Sequence, residues 1–107
     1  MDISTASEVI EAHLARAELL SPLAHDLASL EVELHYCEPT ADTALFVDVA
    51  GPFAVGRLTW WSRGTAHAEA ILDSDLSSLL SRHADAPTVV EARELLQLVA
   101  QAVRDAR

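Results

Sequence analysis

At Glu31 the spacing of apolar residues changes from helical to alternating, and the alternation returns in segment after segment up to Leu72. That switch restricts the chain to a sheet with helices at its ends. In Glu31-Val32-Glu33-Leu34-His35-Tyr36-Cys37, Val32, Leu34 and Tyr36 point one way and Glu31, Glu33 and His35 the other, the pattern of a half-buried strand. Glu38-Pro39-Thr40-Ala41-Asp42 has the composition of a turn. Ala44 to Ala50 predicts a second strand with Leu45, Val47 and Val49 inward and Phe46 and Asp48 outward, ended by Gly51-Pro52. Phe53 to Ser62 predicts a third, and the Ser62-Arg63-Gly64 turn leads to a fourth over Thr65 to Leu72. With Leu58 and Trp60 facing the core, Arg57, Thr59 and Trp61 face out; on the fourth strand Ala66, Ala68, Ala70 and Leu72 lie opposite to His67, Glu69 and Ile71.

The flanking segments read as helices. Thr5-Ala6-Ser7-Glu8 has the spacing of a capping box, in which hydroxyl and carboxylate each satisfy a free backbone N–H. Ile10, Leu14, Ala17 and Leu20 or Ser21 then form one stripe, with Glu8, Glu11 and Glu18 in water. Ser21-Pro22 either kinks this helix or starts a short second one carrying Leu23, Leu27 and Leu30. Thr88-Val89-Val90-Glu91 is a second capping box, followed by a stripe of Ala92, Leu95, Leu96, Val99 and Val103 and by C-terminal Arg residues that complement the helix dipole. Between them, residues 73–86 admit two readings, a helix through Leu76, Leu79, Leu80 and His83 or a short edge strand. The expected fold is a single α+β domain over residues 1–107, an antiparallel four-stranded meander with N-terminal and C-terminal helices packed on one face.

Charge narrows the function. The 107 residues hold 17 Asp and Glu against 7 Arg and no Lys, a formal net charge of −10. Ten of the acids and one Arg fall in residues 1–50, so the first half builds the acidic surface. Phosphate backbones and anionic membrane surfaces are poor partners for such a chain. Cys37 has no second cysteine, the first twenty residues carry charges where a signal peptide needs an apolar core, and no apolar run reaches membrane-spanning length, so a reducing cytoplasm is the expected location.

Motifs for catalysis or cofactors are not found. The five His residues, at 13, 25, 35, 67 and 83, offer no i, i+3 or i, i+4 pair, which predicts no metal site, and three Gly leave no phosphate loop or nucleophile elbow. His35 beside Glu33 could act as a general base, although alternate outward polar residues are what any strand shows. No catalytic or cofactor-binding residue is therefore assigned. Trp60-Trp61 is the most distinctive dipeptide, because a strand sends the two indoles to opposite faces. Trp61 is either an exposed anchor for a protein partner or covered by residues 73–86. Glu31, Glu33, Asp48 and Glu69 share its outward face, and with Trp61 they make up the expected partner-binding surface.

Gly56-Arg57-Leu58-Thr59-Trp60-Trp61-Ser62-Arg63-Gly64, followed by Ala66, Ala68-Glu69-Ala70 and the Thr88-capped helix, resembles the TriTu family of bacterial immunity proteins. In that pattern a strand of the form G-R-[apolar]-x-[aromatic-rich]-W-x-x-G leads into a strand with a single Glu, matched here by Glu69. The resemblance covers residues 51–107 by motif and residues 1–50 by order of elements. The resemblance implies a small cytoplasmic protein that binds and neutralises a cognate toxin domain, an RNA-cleaving one of a kind some of which work with elongation factor Tu, that factor being reached through the toxin. An acidic inhibitor suits the basic surface on which such a toxin holds its substrate. Two other classes fit the composition: a secretion chaperone that dimerises and holds an effector segment, and a ligand-binding module or enzyme with a defined pocket.

Overall fold

The computed structural model describes residues 3–37 and 43–107. The turn read over residues 38–42 lies outside the described residues. Five antiparallel strands form one sheet in chain order: β1 (Glu31–Cys37), β2 (Ala44–Ala50), β3 (Ala54–Trp61), β4 (Thr65–Leu72) and β5 (Ser78–Asp85). The meander is as expected, with five strands in place of four. Gly64 turns β3 into β4 at φ +97°, and its N–H donates to the carbonyl of Trp61 at 2.9 Å.

The fifth strand settles residues 73–86. Leu76 sits at φ +61° and is 69% exposed, so the helical spacing of Leu76, Leu79, Leu80 and His83 does not mark a buried stripe. Asp75 Oδ1 accepts from the Ser77 N–H at 3.0 Å and from its hydroxyl at 2.7 Å, closing the turn that feeds β5. Pairing then runs from Ile71↔Ser78 to Thr65↔Asp85, with an irregularity at Ala70/Ile71. A strand won because the backbone of β4 offers a ladder of partners, which outweighs a weak local helical pattern.

The N-terminal region departs further from expectation. Helix α1 (Ala6–Glu11) begins at the Thr5/Glu8 capping box and stops after two turns. Leu14 N–H bonds to the Val9 carbonyl at 2.8 Å and His13 N–H to the Ile10 carbonyl at 3.2 Å, while His13 adopts φ +55°. This is a Schellman termination with His in place of the usual Gly. The chain resumes as a wide π-type turn over Arg16–Leu20, a 3-10 turn over Ser21–Leu23 with Pro22 in its first turn, and α2 (Ala24–Leu27). The break shifts the phase of the buried stripe. Val9, Ile10, Ala15, Leu19 and Leu20 are buried, whereas Leu14 is 42% exposed and Ala17 is exposed. Glu18, expected in water, is half-buried and accepts a 2.7 Å hydrogen bond from the Ser4 hydroxyl.

Helix α3 (Val89–Asp105) matches its sequence pattern and buries Ala92, Leu95, Leu96, Val99 and Val103. It lies across β2 to β5, facing inward rows such as Val32–Val49–Gly56–Ala70–Leu80 and Tyr36–Leu45–Trp60–Ala66–Ala84. Trp60 fills the centre of the core, and its indole N–H donates to the Ala86 carbonyl at 2.8 Å, so its one polar atom is satisfied. The N-termini of α1 and α3 are tied by Ala6 N–H to Pro87 carbonyl and Val89 N–H to Ser4 carbonyl, both 2.9 Å. All the helices thus gather on one side, and among the described residues none lies over the other side of the sheet.

Candidate functional site

The uncovered face is organised in rows set by strand register. One row reads Glu33–Asp48–Arg57–Glu69–Ser81 from β1 to β5, and the neighbouring row begins Glu31–Ala50–Val55–Ile71. Strand alternation puts each of these side chains outward, and antiparallel pairing carries residues far apart in sequence onto adjacent positions. The sheet twist makes the two rows a shallow open depression of about 520 Å³. Glu31, Glu33, Asp48 and Glu69 all line it, around Arg57. Four carboxylates against one guanidinium leave a net charge of −3, and Val55, 38% exposed, contributes apolar surface.

Arg57 is the centre of this arrangement. Its Nε donates to Asp48 Oδ1 at 2.6 Å and its Nη2 to Asp48 Oδ2 at 3.1 Å, a bidentate pair. The guanidinium also lies 4.8 Å from the centre of the Phe46 ring. Hydrogen bonding to Asp48, then the charges of Asp48 and Glu69, hold its pKa above the ordinary value. The sequence reading placed Arg57 on this face without a role. The available signal was its isolation, since no other Arg occurs between Arg16 and Arg63.

Trp61 stands apart from the carboxylates. It occupies the row Cys37–Ala44–Trp61–Thr65–Asp85, half-buried at the side of the face, with the Arg63 guanidinium 5.3 Å from its ring centre. It lines a second depression with Arg63, Thr65, His83 and Asp85. The indole is therefore neither a protruding anchor nor covered by residues 73–86; β5 flanks it two strands away. Four of the five expected partner-binding residues are brought together, and Trp61 is separated from them by the row His35–Phe46–Thr59–His67–His83.

That middle row carries the imidazoles. His35 Nε2 lies 3.4 Å from Glu33 Oε2 and 3.9 Å from Asp48 Oδ2. His67 Nδ1 lies 3.8 Å from Glu69 Oε2, and its ring stacks on His83 with centroids 4.0 Å apart. Chelating pairs on a helix stand at i, i+3 or i, i+4, whereas on a sheet the neighbours are i, i+2 and the cross-strand partner, which is how Asp48 joins Glu33 and His35. Among the described residues no helix is long and apolar enough to cross a membrane. No family model, curated protein or solved structure matches this chain.

Proposed function

We propose that this chain is an immunity protein that neutralises a cognate toxin domain, an RNA-cleaving one, by docking its uncovered sheet face onto the toxin's basic surface in the cytoplasm. The observation that carries this reading is the depression with its net charge of −3 on the side of the sheet that no helix among the described residues covers. A nuclease must hold phosphates, so its substrate groove presents Lys and Arg; four carboxylates spaced over three strands offer those side chains an alternative set of partners. Occupying the groove excludes the RNA without any chemical step. Phosphate mimicry of this kind also steers encounter, because the chain as a whole carries −10. The sequence resemblance to the TriTu family supports the same assignment, and elongation factor Tu enters the complex only where the toxin itself binds it.

The test is co-expression with whichever RNA-cleaving toxin domain a neighbouring gene is found to encode, read by growth and by co-purification. Wild-type protein is expected to restore growth and to form a stable complex, and Glu31→Lys/Glu33→Lys to remain folded while slowing association several-fold, with a shallower salt dependence. Full protection and unchanged association by that double variant would sink this placement of the interface. No rescue, with a homodimer that captures an unfolded effector segment, would instead favour a secretion chaperone.

A further inference from the structure

On the first two strands three side chains of metal-ligating type converge. Glu33 and His35 are neighbours on the outer face of β1, and Asp48 is the register partner of Glu33 on β2. One donor atom from each lies within 4.8 Å of the other two. A divalent ion about 2.0–2.2 Å from each of three donors in tetrahedral geometry requires donor separations of about 3.3–3.6 Å. The His35 Nε2 to Glu33 Oε2 distance is already 3.4 Å, and His35 Nε2 to Asp48 Oδ2 is 3.9 Å. Glu33 and His35, 74% and 55% exposed, can close the remaining gap by side-chain rotation alone.

Asp48 remains available despite Arg57. A carboxylate has about four lone-pair directions, and Arg57 uses one on each oxygen. The guanidinium then acts as the outer partner that fixes the orientation of a ligating carboxylate. Its positive charge opposes a cation, and the other carboxylates of the depression, Glu31 and Glu69, offset it. One imidazole with two carboxylates suits zinc and the neighbouring late first-row ions; calcium and magnesium prefer oxygen donors alone.

We infer that Glu33, His35 and Asp48 form a binding site for a divalent transition-metal ion of the zinc type, with water completing the coordination. The site stands whether or not the same face binds a toxin. It would make metal a competitor for two of the carboxylates used in docking.

The experiment is isothermal titration of zinc chloride into untagged, chelator-treated protein, paired with NMR of the imidazole protons. Saturable one-to-one binding is expected, with the His35 resonances shifting. His35→Gln and Asp48→Asn should each raise the dissociation constant about tenfold or more, while His67→Gln/His83→Gln leaves it unchanged. Circular dichroism confirms that the variants are folded. The inference is overturned by the absence of saturable binding at millimolar zinc, by binding that survives His35→Gln, or by binding lost in His67→Gln/His83→Gln.

Discussion

Replacing Gly56 by Ala reverses the sign that strand propensity alone would give, and so tests how α3 sits on the sheet. A glycine inside a strand loses more backbone entropy on folding than alanine, and Gly→Ala at a compatible site stabilises by about 0.4–1 kcal/mol. Gly56, however, lies on the inner face between Val49 and Ala70, under α3. A methyl there would stand 2.5 Å from Val99 Cγ1, 3.1 Å from Val103 Cγ2 and 3.0 Å from the carbonyl oxygen of Glu69. Valine in a helix has one strongly preferred rotamer, so relief requires α3 to move off the sheet. Overpacking of this kind costs about 1–3 kcal/mol, which at mid-range exceeds the gain by about 1.3 kcal/mol and leaves a net loss. Urea denaturation of G56A should show a lower midpoint at an unchanged slope. In G56A/V99A the 2.5 Å contact is gone, and the two substitutions should couple favourably by about 1 kcal/mol, with rescue incomplete because the Glu69 carbonyl is immovable. A neutral or stabilising G56A, or strict additivity in the double variant, would refute the close seating of α3 on β3.

Trp60→Phe should cost about 2–4 kcal/mol, the sum of a cavity at the centre of the core and an Ala86 carbonyl deprived of its donor; thermal melts that shift as if less than about 1 kcal/mol were lost would contradict this. Thr88→Ala should cost about 1 kcal/mol at neutral pH by removing the cap of α3. Hydrogen bonds from Thr88 hold the Glu91 carboxyl below its ordinary 4.5, so that share of the stability is present above pH 4.5 and fades as the pH falls through the lower folded value. The deficit of Thr88→Ala should accordingly shrink between pH 7 and pH 3, and a deficit that grows on acidification would disprove the link. Asp48→Asn should lower stability by less than about 1 kcal/mol, because its pair with Arg57 is 31% and 44% exposed; a chemical-denaturation loss well above that value would mean the pair holds the sheet together.

The elements that were legible in the sequence are those whose pattern is local. Residues 31–36 and 65–70 alternate polar with apolar without interruption, and both capping boxes announce their helices with a hydroxyl and a carboxylate three residues apart. Strand alternation also assigned Glu31, Glu33, Asp48 and Glu69 to one face before any contact was known. What pattern alone could not decide was set by partners distant in the chain. The segment 78–85 is a strand because β4 presents an unpaired edge to it, and α1 stops at Glu11 because His13 takes a left-handed conformation, where its ring stacks on Tyr36 with centroids 3.9 Å apart. Register did the rest: it set Arg57 between Asp48 and Glu69, brought Asp48 to His35, and left Trp61 two rows from the carboxylates. Side-chain alternation is a property of one strand and can be read from its residues; register is a property of pairs of strands, fixed only when the inner face packs beneath α3.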